Sequence, residues 1–331
     1  MRELTAVINT QLELMNSLLL TSKYNEITKP VIGYGLMSEI ETPYTTAIKE
    51  YFRPFSDHPI YTLIAQMIPD GFTFSRPVEL ALSLDNYLQV ARQLSTICIE
   101  YCGGKNRINE LLELMRDFAD KANYHRFINT HKCFYTPYLH ELNTQIKPIP
   151  LINIIEKFYG ENQHSYSLVL SSLMIGCFGL HFQNKEKKES DVITVLSVDN
   201  LHSDVAFLLH ELSHPFINPL TEKYRSEIEK YNATYDYLKQ YKLHGFKSGY
   251  SDWEECVNEH LVRASTIHML NKLGFTDIAK QNLNNDLDSG YRFIPALLQA
   301  FEHYERNRDR HKTFDLFYTE LLQRFELSSE K

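Results

Sequence analysis

This chain of 331 residues has few cysteines and no excess of basic charge. Its five cysteines are an odd number without C-x-x-C spacing, which argues against both a disulfide framework and a zinc ribbon. We expect free, mostly buried thiols at Cys98, Cys102, Cys133, Cys177 and Cys256. Lys and Arg number 34 against 42 Asp and Glu, a formal net charge of −8. This balance argues against nucleic acid as the main partner.

Long apolar runs are also scarce. The uncharged span of residues 165–184 approaches the length of a membrane helix, but it contains serines, two glycines and a histidine. We interpret it as two strands around a turn at residues 175–176 and expect no membrane span. Glu3 and Glu13 leave no continuous apolar region of the kind found in signal peptides. A native start at Met1 would indicate the cytoplasm, and a removed leader a secreted or periplasmic protein, so the compartment stays open.

Helical periodicity dominates the chain, whose hydrophobic (43%) and aromatic (12%) content suffices for a large core. Apolar residues recur at the i, i+3, i+4 spacing of helices in residues 4–20, 60–67, 77–101, 107–123 and 151–159. β-Rich runs occur in residues 165–174, 177–183 and 191–198. We therefore predict an α+β, mostly helical fold in one compact unit. Its parts would be an N-terminal helical region (1–160), a small sheet with the following helix (161–219) and a helical C-terminal lobe (220–331).

The main chemical signal is the H-E-x-x-H motif formed by His210, Glu211, Leu212, Ser213 and His214, within a predicted helix over residues 204–214. Helical residues four apart lie on one face, so both imidazoles can reach a single metal ion, and zinc suits such ligands. Glu211 lies beside that ion, where its carboxylate could take a proton from a zinc-bound water. The alternative is a surface helix with two solvated histidines.

Two prolines shape the end of this helix. Pro215 follows the motif directly, and a proline there removes a backbone hydrogen bond and disfavours helical angles at His214. We therefore predict that the helix ends or kinks just after the motif, with Asn218 and Pro219 completing the exit.

A third protein ligand is expected on a second helix, predicted over residues 253–273. This helix is apolar nearly all round, which implies burial, and its polar residues form two stripes. One stripe, interpreted as the solvent side, comprises Glu254, Asn258, Ser265 and Lys272. The other comprises Glu255, Glu259, Arg263 and Thr266. Buried carboxylates need a cation, so we choose Glu259 as the ligand, with Glu255 in reserve. The alternative is an internal ion-pair cluster of these glutamates with Arg263, without metal.

These segments resemble the gluzincin pattern of zinc metallopeptidases, in which an H-E-x-x-H helix and a glutamate from a later helix hold the zinc. Asn258-Glu259 is similar to the Asn-Glu pair that carries the glutamate ligand there. More closely, residues 210–219 with 258–264 resemble a bacterial family of unknown function described as putative zincin peptidases, over most of the chain. The resemblance implies a zincin-like fold with a small sheet before the motif helix, but no substrate. The residues that it implies for zinc binding and general base catalysis are His210, His214 and Glu259, with Glu211 as the base.

The chain departs from the better-known gluzincins at one position, and the resemblance does not assign the oxyanion donor. Better-known gluzincins place an acidic residue four positions after the glutamate ligand to orient a histidine, whereas this chain has Arg263 there. The developing oxyanion also needs a donor besides zinc. We favour Tyr291, which follows a glycine at the mouth of a predicted helix; the other candidates are Arg292, His260 and Tyr250.

We therefore predict a zinc-dependent hydrolase, a metallopeptidase acting on a peptide or protein substrate. One alternative is a non-hydrolytic zincin-fold module that binds a peptide or protein, and another is a zinc hydrolase acting on a different bond. The intact Glu211 argues for the enzyme, because a module that only binds has no physical need for the base.

Overall fold

The computed structural model of the chain describes residues 4–32, 35–183, 190–198, 205–240 and 253–327. The described residues form a mostly helical α+β fold with a small mixed sheet of four strands, which confirms the predicted fold class. None of the helices in these ranges combines the length and the apolar character needed to cross a membrane.

Helices make up most of the described elements. The strands are β1 (Thr5–Val7), β2 (Ser165–Ser171), β3 (Phe178–Gln183) and β4 (Ser190–Ser197). The helices are α1 (Thr10–Thr21), α2 (Tyr24–Ile32), α3 (Pro43–Phe52), α4 (Pro59–Met67), α5 (Ser75–Leu82), α6 (Thr96–Tyr101), α7 (Lys105–Lys121), α8 (Tyr124–His131), α9 (Thr136–Ile146), α10 (Leu151–Tyr159), α11 (Val205–Lys223), α12 (Arg225–Ile228), α13 (Asn232–Gln240), α14 (Trp253–Lys272), α15 (Thr276–Asp288), α16 (Ile294–Arg306) and α17 (Phe314–Leu322).

The chain forms two compact units. The first contains the described residues from 4 to 149 and from 164 to 198, and the second those from 150 to 163 and from 205 to 327. All four strands therefore belong to the first unit, whereas α11, with the H-E-x-x-H motif, belongs to the second. The sequence-based division had grouped the strands with the motif helix in residues 161–219.

The sheet of the first unit has the strand order β1-β2-β4-β3. Strand β2 runs parallel to both β1 and β4, whereas β3 runs antiparallel to β4. The two predicted strands of residues 165–184 therefore exist, but they pair with opposite edges of β4 rather than with each other. Gly176, in the segment between them, has a φ of +91°, which glycine adopts without strain.

The N-terminal helix begins later than its apolar pattern predicts. Residues 5–7 form β1, in which Thr5 pairs with Ser167 of β2, and α1 begins only at Thr10. Asn9 caps α1, because its side chain accepts a hydrogen bond from the N–H of Leu12. The prediction of a helix from residue 4 is wrong here, because pairing with a distant strand overrides local periodicity.

The single helix predicted for residues 77–101 is also wrong. The segment contains α5, a tight turn and α6. The side chain of Asp85 accepts hydrogen bonds from the backbone N–H groups of Tyr87 and Gln89, which closes the turn. Ser95 then caps α6 by accepting from the N–H of Cys98.

A buried carboxyl group connects several elements of the first unit. Glu13 of α1 is fully buried, and its Oε2 accepts hydrogen bonds from the hydroxyls of Tyr44 (2.9 Å) and Tyr135 (3.0 Å). Its Oε1 accepts from Ser171 of β2 at 2.9 Å. Burial raises the pKa of Glu13 to about 7, although the three donors oppose that shift.

The second unit is built on α11 and α14. Helix α11 continues to Lys223 with Pro215 and Pro219 inside it. Of the two predicted outcomes just after the motif, an end or a kink, the end is therefore wrong. An internal proline costs about 3 kcal/mol, but each fully buried large apolar side chain contributes about 1.5–3 kcal/mol. Leu212, Phe216 and Ile217 are buried on both sides of Pro215, which accounts for the continuation.

Candidate metal centre

Helices α11 and α14 bring the three predicted ligands together. The Nε2 atoms of His210 and His214 lie 3.2 Å apart, as expected for side chains one helical turn from each other. Glu259 of α14 faces both, with Oε2 3.8 Å from Nε2 of His210 and Oε1 3.6 Å from Nε2 of His214. Within the described residues, these three form a group whose ligand atoms all lie within 4.8 Å of one another.

This geometry fits a zinc ion. Tetrahedral ligands at about 2.0–2.1 Å from zinc lie about 3.3 Å from one another, close to the observed separations. The side chains of His210, His214 and Glu259 are 19%, 15% and 17% exposed. The two histidines are therefore partly buried, unlike the solvated histidines of the surface-helix alternative.

Electrostatics favour a cation at this position. Burial lowers the pKa of His210 to about 3, so the imidazole is neutral near pH 7, which is the form that binds metals. Burial disfavours a charged Glu259, but the two imidazoles and the Arg263 guanidinium hold the pKa of its carboxyl below the usual range. The site therefore presents a neutral His210 imidazole and an ionised Glu259 carboxylate.

Glu211 lies beside this group in a more enclosed position. The residue is 8% exposed, and burial raises the pKa of its carboxyl to about 7. Together with His210 it lines a cavity of about 360 Å³ within the second unit. The cavity is lined by Ala206, Phe207, His210, Glu211, Arg263, Thr266, Asn282 and Asp286. The carboxyl of Glu211 and one of the three candidate metal ligands therefore share one cavity.

Arg263 connects the glutamate to a third helix. Its Nε donates to Oε2 of Glu259 at 3.2 Å, and its Nη1 donates to Oδ1 of Asp286, on α15, at 2.7 Å. The guanidinium carbon lies 4.2 Å from the centroid of the Tyr291 ring, a cation–π contact. The ion-pair cluster considered from the sequence thus exists in part, but Asp286 takes the place assigned to Glu255.

His214 has an acceptor behind it. Asn218 follows one helical turn later on α11, and its Oδ1 accepts a hydrogen bond from Nδ1 of His214 at 3.2 Å. A proton on Nδ1 leaves the lone pair on Nε2, the atom that faces His210 and Glu259. The hydrogen bond therefore selects the tautomer that metal binding requires.

Other residues proposed from the sequence occupy different positions. Glu255, the reserve ligand, is exposed and lies outside the group of three. Ser265, placed on the solvent stripe, is fully buried, so that stripe is wrong at this position. Ser265 lies in the half of α14 that packs in the core of the second unit, where even polar positions are covered.

The three described candidates for the oxyanion donor occupy different positions in the second unit. Tyr291 is 6% exposed and packs against both Arg263 and the ring of His260, 5.0 Å away. His260 itself is fully buried, which removes it from contact with a substrate. Arg292 is exposed and donates to the hydroxyl of Tyr237 at 3.1 Å. Tyr250 lies outside the described residues.

Three residues near the candidate ligands, namely Asn218, Asn282 and Asp286, were not assigned to the site from the sequence. Asn218 could have been found by its four-residue spacing from His214, but only if α11 had been expected to continue past Pro215. Asp286 and Asn282 lie four residues apart on α15, so both face the cavity. Nothing in the local sequence of α15 indicates that this face meets α14.

Comparison with known proteins gives a family and no activity. The model of a family described as a domain of unknown function, DUF4932, matches residues 4–324 of this chain. No curated protein and no solved structure matches the chain. Since the match covers nearly the whole sequence, the chain belongs to the DUF4932 family of domains of unknown function.

Proposed function

We propose that this protein is a zinc-dependent hydrolase with a zincin-like active site, and that it acts as a metallopeptidase. The observation that carries the proposal is the convergence of His210, His214 and Glu259 within 4.8 Å, beside the buried carboxyl of Glu211. Catalytic zinc sites generally have three protein ligands and a water, whereas structural sites have four protein ligands, so a set of three supports a catalytic role.

The chain's own residues divide the work as follows. His210, His214 and Glu259 would hold the zinc, which when bound polarises a carbonyl group and acidifies a water. Glu211 would accept the proton of the attacking water and return it to the leaving nitrogen. The cavity against His210 and Glu211 would hold the part of the peptide next to the scissile bond, away from bulk solvent.

Replacement of Glu211 tests the proposal. The zinc-loaded wild-type protein should cleave members of a peptide library. Glu211→Gln should keep its zinc and lose about 10²–10⁴-fold in turnover, because general acid–base catalysis contributes that much. Glu222→Gln, at an exposed position of the same helix, is the matched control and should cleave like the wild type.

The opposite results are equally informative. Turnover that survives in Glu211→Gln would contradict the role of Glu211 as the base. A zinc-loaded wild type that cleaves no peptide but binds some of them would instead support the non-hydrolytic peptide-binding module.

A further inference from the structure

Arg263 is held on three sides next to the proposed zinc ligand. Its Nε contacts Glu259, its Nη1 contacts Asp286, and its guanidinium lies on the ring of Tyr291. The side chains of Arg263 and Asp286 are 28% and 9% exposed, so the contact between them is largely shielded from water. Charge-assisted hydrogen bonds in such surroundings hold a side chain in one orientation.

The two carboxylate oxygens of Glu259 have different neighbours. Oε2 accepts the hydrogen bond from Nε of Arg263, whereas Oε1 is the oxygen next to Nε2 of His214. A carboxylate without such a contact rotates about its terminal torsion, which has a broad energy profile. Arg263 therefore restricts the orientation in which Glu259 meets the two imidazoles.

We propose that Arg263 and Asp286 act as a positioning pair for the metal ligand Glu259. Arg263 holds Oε2 and leaves Oε1 directed at the metal position, and Asp286 fixes Arg263 in the orientation that does so. This inference rests on the proposed zinc site and adds two residues that affect metal binding without touching the ion.

Asp286 has a second effect in this arrangement. A guanidinium alone beside Glu259 could turn its fork onto both carboxylate oxygens and compete with a metal for them. Because Asp286 engages Nη1 at 2.7 Å, Arg263 contacts Glu259 through Nε. Glu259, Arg263 and Asp286 together also carry a net negative charge, which favours a bound cation.

The test is the zinc affinity of the folded, metal-free protein, measured by competition with a chromophoric chelator. Arg263→Met and Asp286→Asn should each weaken zinc binding by about 10–100-fold, the usual effect of losing a residue that supports a ligand. In the double variant, Asp286→Asn should add little to the effect of Arg263→Met, because Asp286 acts through Arg263. Asp288→Asn, at an exposed position of α15, is the matched control and should bind zinc like the wild type.

The sign of the Arg263→Met effect separates positioning from a simple field effect. If the two residues acted only through their charges, removal of the cation would tighten zinc binding, and the two substitutions would be additive. Either of these results overturns the positioning pair.

Two further readouts keep the test decisive. The visible spectrum of the cobalt-substituted protein should change in Asp286→Asn, because it reports the ligand geometry and not only the affinity. Arg263→Lys keeps the positive charge but lacks the planar guanidinium, and it should not have the zinc affinity of the wild type. This variant takes the place of Arg263→Met in the test should Arg263→Met fail to fold. Zinc affinities equal to the wild type in all variants overturn the inference and leave the zinc site intact, whereas a wild type that binds no zinc overturns both.

Discussion

The ring of Tyr291 packs next to the candidate metal centre, with the Arg263 guanidinium on its face and the His260 ring at its edge. Because the ring supports Arg263, we expect Tyr291→Phe to keep the zinc affinity of the wild type and to reduce turnover less than tenfold. Tyr291→Leu removes the cation–π contact, which is worth about 0.5–2 kcal/mol, and should weaken zinc binding several-fold. Chelator competition and peptide turnover of both variants provide the measurement.

The same two variants also test the role that the sequence predicted for Tyr291, that of the oxyanion donor. A loss of about 10²–10³-fold in turnover in Tyr291→Phe, with zinc affinity unchanged, would identify the hydroxyl as the oxyanion donor. In that case the contact with Arg263 would be secondary.

Residues on one helix were easier to find from the sequence than residues that meet across helices. His210, Glu211 and His214 follow from helical spacing alone, and Glu259 follows from the cost of burying a carboxylate. Asp286 lies 23 positions after Arg263, on another helix, and only the packing of α15 against α14 brings the two together.

At the scale of elements, the length of α11 determines which residue contacts the far side of His214. Because the helix continues past Pro215, Asn218 lies one turn beyond His214 and accepts the hydrogen bond from its Nδ1. Local rules for proline predict an end or a kink at this point, whereas burial of apolar residues on both sides of Pro215 stabilises the continuation of the helix. The C-terminal end of α11 therefore depends on tertiary packing, which the local sequence pattern does not indicate.

Asn218→Leu should weaken zinc binding by about tenfold, because His214 then lacks the acceptor that fixes its tautomer. Asn218→Asp keeps an acceptor at the same position and is the matched variant, which should bind zinc at least as tightly as the wild type. The measurement is chelator competition on the two folded, metal-free variants. Equal affinities in both would mean that the hydrogen bond to Nδ1 has no effect on the site.

At the scale of the whole molecule, the buried Glu13 should make stability depend on pH. The folded state holds the Glu13 proton up to a pKa of about 7, against 4.5 for an ordinary glutamate. Stability from this group is fully present below pH 4.5 and is lost as the pH rises through about 7, by about 3 kcal/mol. The free energy of unfolding of the wild type should therefore fall over this range relative to Glu13→Gln.

Urea denaturation at several pH values measures this difference. Glu110→Gln, at an exposed position of α7, is the control and should follow the pH dependence of the wild type. A Glu13→Gln variant that loses stability in parallel with the wild type across this range would contradict the assignment.

The broad fold could be predicted because long periodic segments such as α4, α7 and α10 fall close to the predicted ranges. The division into units could not be predicted, because it does not follow the order of the chain. Residues 150–163, with α10, belong to the same unit as α11, while the strands that lie between them in sequence belong to the other. Strand β1 likewise depends on pairing with β2, about 160 residues away, which no local pattern encodes.

The central claim is a zinc site made by His210, His214 and Glu259, and metal content tests it most directly. Elemental mass spectrometry of protein purified without added metal should find close to one zinc per chain in the wild type and in Glu255→Ala, whose exposed carboxylate lies outside the site. Glu259→Ala should lose the zinc. A wild type without zinc that takes up none when zinc is added would contradict the account, as would a Glu259→Ala variant that retains it.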